Sequence, residues 1–94
     1  MMQQFDFDDR SPATNQLLAA SLHILLALQS YPHIFLSVPL HVHQKLEPAD
    51  YGKIIYDLLS ANYPDLEKRL SIQVHRDSFF SISNHPAGAQ HEIS

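Results

Sequence analysis

Ile34-Phe35-Leu36-Ser37-Val38-Pro39-Leu40-His41-Val42-His43 is the stretch on which the fold of this chain turns. Its even positions are all aliphatic, and its odd positions carry Phe35, Ser37, Pro39, His41 and His43. Side chains alternate faces along a strand, so the pattern predicts a β-strand over residues 33–44 with one apolar face. Proline cannot donate to a hydrogen-bond ladder. Pro39 therefore predicts an edge strand, or one broken by a bulge at that point.

On the C-terminal side, Glu47-Pro48-Ala49-Asp50 opens a helix, with proline in its first turn and acid near the positive end of the dipole. Its apolar face is Tyr51, Ile54, Ile55, Leu58 and Leu59, and Asp50, Lys53, Asp57 and Ser60 fall on the wet side. Tyr63-Pro64 ends it, because the residue before proline avoids the α conformation. Residues 64–69 add one short turn. In residues 70–83 the alternation Ile72, Val74 and then Phe80, Ile82 is in phase across Arg76-Asp77-Ser78. A hairpin looped at 76–78 would pair Val74 with Phe80 and Ile72 with Ile82, and one long bent strand is the alternative. No glycine is present there for the left-handed position that such loops favour.

On the N-terminal side, Ser11 as N-cap and Pro12 in the first turn start a helix that must end near Tyr31, before Pro32. Its wide apolar face is Leu17, Leu18, Leu22, Ile24, Leu25, Leu26 and Leu28. The narrow remainder is Gln16, Ala20, His23 and Ala27. A helix so apolar is buried on more than one side, and one sheet in a small domain does not cover it. Ala20 and Ala27, one heptad apart, would permit close approach of the second helix or of another copy.

The order is helix, strand, helix, strand, strand. It predicts an α/β (α+β) domain: a small three-stranded mixed sheet with two helices packed on one face. Residues 11–83 form the single domain, between a flexible acidic tail at 1–10 and a second flexible tail at 84–94. Phe5 and Phe7, set among aspartates, could dock on a partner or on the protein's own surface.

Composition narrows the function. The chain has 94 residues, 45% hydrophobic, enough for one domain with a modest core. Two glycines exclude a glycine-rich phosphate loop. The absence of cysteine excludes disulfides, thiolate metal sites and a cysteine nucleophile. A net charge of −4 with six scattered basic residues leaves no footprint for nucleic acid. Lys68-Arg69, following Asp65 and Glu67, reads as part of a mixed solvated face. The apolar run at 17–28 is too short to span a bilayer, and residues 1–10 are acidic where an export leader would be basic. The expected location is the cytoplasm.

His41 and His43 would lie on one strand face, about 6.6 Å apart at Cα. His75, on the polar side of Leu70-Ser71-Ile72-Gln73-Val74-His75, could add a third ligand if the strands are neighbours, and zinc is the metal such a set would suit. Clustered histidines would also make a pH-dependent surface. No other cofactor is expected. His75, Asp77 and Ser78 carry the residue types of a hydrolase triad, but neighbours in a turn seldom converge, and Asp and Ser favour turns by bonding nearby backbone. No nucleophile–base pair can be placed, so no enzyme is expected. The leading expectation is a non-enzymatic interaction, regulatory or adaptor protein that self-associates. Its interface would be Ala20, His23 and Ala27 with Phe35. The alternative is a metal- or pH-responsive binding protein using the histidine-bearing face.

Overall fold

Ile34–Pro39 (β2) is the spine of the computed structural model, which describes residues 2–8 and 10–85. The elements in chain order are β1 (Met2–Phe5), α1 (Ala13–Leu28), β2, α2 (Leu40–His43), α3 (residues 48–59), α4 (Leu66–Arg69), β3 (Leu70–His75) and β4 (Phe80–Ser83). The fold is a mixed α/β domain, as the element pattern predicts, but the sheet has four strands in the order β1-β4-β2-β3. β2 pairs parallel with β3 and antiparallel with β4, and β1 pairs antiparallel with β4.

Three expectations about the strands change. β2 is interior, not an edge. Pro39 is its last residue, beyond the β4 register that ends at Ser37↔Ser81, so its missing N–H interrupts no ladder on that side. β3 and β4 do not form a hairpin. No residue of the connection 76–79 has positive φ, so it makes no tight glycine-type turn, and it crosses the end of β2. That step covers two strand spacings, about 9.6 Å. The in-phase residues still share a face, now through an intermediary: Ile72 and Ile82 both flank Leu36. Finally, Met2–Phe5, expected as tail, forms an edge strand on β4. Of the expected C-terminal tail, residues 86–94 lie outside the described residues.

Ile34, Leu36 and Val38 face the helices together with Leu70, Phe80 and Ile82, and all are buried. Leu17, Ala20, Ile24 and Leu28 of α1, Ile55 and Leu59 of α3, and Leu66 of α4 complete the core from above. The opposite face of the sheet carries Phe35, Ser37, Gln73, Ser81 and Ser83, where the Gln73 amide donates to the Ser37 hydroxyl at 2.9 Å.

α1 starts after Pro12, whose extended backbone makes it the N-cap. Ser11 is therefore not the cap. Gln16 supplies the local lock instead, its amide donating back to the Ser11 carbonyl at 3.0 Å. α1 stops at Leu28, a turn before Pro32. α3 opens with the capping box of Glu47 and Asp50, in which the Glu47 N–H donates to the Asp50 carboxylate at 2.8 Å. Gly52–Tyr56 within it is wound as a π-type stretch.

Candidate functional site

The histidine pattern on which a metal site depends is dissolved by the backbone. After Pro39 the chain turns into α2, so His41 and His43 are on a helical turn rather than on a strand. Residues two apart on a helix point to different sides. His43 shares a hydrogen bond of 2.6 Å with the Tyr51 hydroxyl and ties α2 to α3. His41 lines a separate cleft. His75 stays on β3, but its Nε2 donates to the Phe79 carbonyl at 2.5 Å and its Nδ1 lies 3.5 Å from the Asp77 carboxylate. These contacts fasten the 76–79 loop onto β3, and Ser78 takes no part in them. Among the described residues no group of three or more His, Asp or Glu side chains could hold a metal ion.

The expected interface strip on α1 is also displaced. Ala20 is 0% exposed and belongs to the core. His23 is half-buried, its ring stacked on Phe5 at 4.3 Å. Phe5 in turn stacks on Phe80 at 5.8 Å, and Phe7 meets Phe80 edge-on at 5.3 Å. Those rings add to the ladder with β4 in holding the N-terminal strand, and the two phenylalanines dock on the protein's own surface. Ala27 lines a shallow recess with Gln3, His23, Leu26, Ser30 and Tyr31. Phe35 lies on the far face of the sheet, its ring 4.6 Å from that of His33.

What α1 turns outward is its leucines. Leu18, Leu22 and Leu26 are 45%, 52% and 64% exposed. They follow one another at four-residue steps and so form a stripe along one side of the helix. Beside Leu18 an open groove of about 430 Å³ is lined by Thr14, Asn15, Lys53, Ile54, Asp57 and Leu58. Leu58, expected in the core, is 42% exposed and continues the apolar surface onto α3. α1 carries no charged residue along its length, and the groove's rim carries one of each sign, Lys53 and Asp57.

Two side chains that sequence reasoning passed over hold the loop behind this helix. The Arg69 guanidinium donates to three carbonyls, of Leu28 at 2.8 Å, Tyr31 at 3.0 Å and Pro32 at 3.0 Å. It lies 4.8 Å above the Tyr63 ring. α1 has no basic residue in its last turn, so Arg69 brings the cation to the negative end of the dipole from 41 residues away. It is therefore not part of a solvated charge face. His33 Nδ1 is 2.9 Å from the Lys68 carbonyl, which can only accept. Nδ1 then carries the proton, and Nε2 accepts from the Ser71 hydroxyl at 2.9 Å. Together Arg69 and His33 stitch residues 28–33 to residues 68–71. No spacing rule links partners so far apart in the chain.

Burial raises the pKa of Tyr51 above its ordinary 10.0, with the Asp50 carboxylate adding to the effect. Burial likewise raises that of Tyr56, helped by Glu67. Both phenols remain neutral over the physiological range. Among the described residues no helix is long and apolar enough to cross a membrane. Comparison with protein-family models, with curated proteins and with solved structures finds no match to this chain.

Proposed function

We propose that this chain is a small protein-interaction module, regulatory or adaptor in role, that pairs with a second copy of itself through the outer face of α1. The observation that carries the reading is the leucine stripe: Leu18, Leu22 and Leu26, aligned and left in solvent. Contiguous exposed apolar surface on a small domain marks an interaction site. The stripe is symmetric about Leu22, so a two-fold axis there sets Leu18 of one copy against Leu26 of the other. A charged partner finds no counter-charge on α1. A second copy finds an equally apolar face. No catalytic role enters this reading.

The test is sedimentation equilibrium from low micromolar to millimolar protein, on the parent and on Leu22→Glu. The parent is expected to dimerise reversibly. The variant is expected to associate at least about 100-fold more weakly, because an unpaired carboxylate at the centre of an interface costs several kcal/mol. Leu22 is half in water already, so the variant keeps its fold. A parent that stays monomeric throughout, or a variant that dimerises equally well, refutes the proposal. Glutamate at Ala20 would not be a substitute test, since that site is core.

A further inference from the structure

The parallel strands β2 and β3 end side by side, at Pro39 and His75, and the chain beyond their carboxyl ends encloses a cleft of about 390 Å³. Its lining is Gln16 from the first turn of α1, His41 and Val42 from α2, Lys45 just after it, and Ser78 from the β3–β4 loop. In sheets with parallel strands this end is where ligands collect. The volume is at the small end of the range for small-molecule sites, which sets the ligand at metabolite size.

The chemistry of the lining is one-sided. Lys45 offers an ammonium, His41 an imidazole and Ser78 a hydroxyl, and among the described residues none of these side chains has a hydrogen-bonding or ionic partner. Among the described residues no carboxylate lines the cleft, in a chain whose net charge is −4. The nearest described acids along the chain are engaged elsewhere: Asp77 faces His75, Asp8 accepts from the Arg10 N–H at 2.9 Å, and the Glu47 carboxylate caps the start of α3. Gln16, only 7% exposed, is held in place by its amide bonds to the Ser11 carbonyl and the Asp8 carbonyl. One wall is therefore preorganised. Val42, 1% exposed, closes the floor of the cleft as part of the core.

We infer that this cleft binds a small organic oxyanion, a phosphate monoester or a carboxylate. Lys45 and His41 meet the charged group, and Ser78 donates from the loop. The site is separate from the leucine face and needs no second copy.

The experiment is an amide NMR titration of the full chain with inorganic phosphate and, separately, with acetate, ionic strength being held constant with sodium chloride. Saturable shifts are expected at residues 41–45 and 78, with dissociation constants in the millimolar range for these bare anions. Saturation by phosphate alone assigns a phosphate ligand. Saturation by acetate alone assigns a carboxylate, and saturation by both assigns the shared oxyanion chemistry. Lys45→Met should weaken binding at least tenfold. Lys45 is exposed and makes no side-chain bond, so that variant keeps the fold, and Ser78→Ala provides a second, milder loss. Shifts that never saturate, that sodium chloride reproduces, or that Lys45→Met leaves unchanged overturn the inference.

Discussion

Replacing Arg69 by methionine should destabilise the domain by about 3 kcal/mol, a large effect for a residue that looks like surface charge in the sequence. The guanidinium spends all its bonding on backbone: Nη2 reaches the carbonyls of Leu28 and Tyr31, and Nε reaches that of Pro32. Charge-assisted bonds of the partly buried kind are worth about 1.5 kcal/mol each, and the exposed bond to Pro32 about 0.5. Favourable interaction with the α1 dipole and with the Tyr63 ring adds about 0.5 kcal/mol apiece. Water reaching the freed carbonyls, and the apolar contacts of the methionine, return about 1.5 kcal/mol of that sum. The stability of a domain this size is of the order of 5–14 kcal/mol, so the loss is a substantial share.

Urea unfolding followed by circular dichroism measures it directly. The midpoint should fall with the slope unchanged, and the thermal midpoint should drop by about 12–24 °C. Arg69→Lys separates geometry from charge. An ammonium cannot reach carbonyls of Leu28, Tyr31 and Pro32 together, so at least half of the loss should persist. A methionine variant within about 0.5 kcal/mol of the parent, the ordinary range for surface substitutions, refutes the clamp. A lysine variant as stable as the parent refutes the role of the planar fork.

Two other outcomes follow from the packing. The raised pKa values of Tyr51 and Tyr56 mean that the folded state holds those phenolic protons more tightly than the unfolded chain, so stability is complete below pH 10.0 and declines as pH rises beyond it; urea midpoints across the alkaline range should show the decline, and the Tyr51→Phe, Tyr56→Phe double variant should flatten it. Phe5→Ala removes the ring between His23 and Phe80 and should cost about 2 kcal/mol. Hydrogen exchange should accelerate in β1 and on the β4 side that faces it, and unchanged exchange there would mean that the rings do not hold the strand.

The parts legible in the sequence are those where the apolar period has one interpretation. Residues 70–75 alternate without interruption and form a strand. Residues 48–59 keep a helical period behind a capping box and form a helix, although Leu58 turns outward from it. The misreading at 40–43 has a definite cause. Val38, Leu40 and Val42 alternate as a strand would, yet Val42 is buried beneath a helical turn while Leu40 faces water. A short apolar run satisfies both periods, and Pro39 was the signal that the ladder stops there. Losing that strand end removes the shared histidine face, and with it the geometry of the metal site. The contacts of Arg69 and His33 join residues 35 to 41 positions apart, where local pattern carries no information.

The orientation of α1 was beyond pattern for a different reason. With leucine or isoleucine at Leu17, Leu18, Leu22, Ile24, Leu25, Leu26 and Leu28, apolar content cannot decide which side faces the sheet. Volume decides. The inner side has room for Ala20 and Ser21, both fully buried, with Leu17, Ile24 and Leu28 buried on the same helix. The small residues thus lie on the buried side of α1, and not in a docking strip on the outside. Once they face inward, helical geometry forces Leu18, Leu22 and Leu26 outward. In two layers a helix has one side against the sheet and one flank against its neighbour, here α3, and nothing among the described residues covers its outer side. Three outward leucines are therefore surplus to folding. Their removal would cost the monomer little, whereas an isologous pairing buries all of them at once.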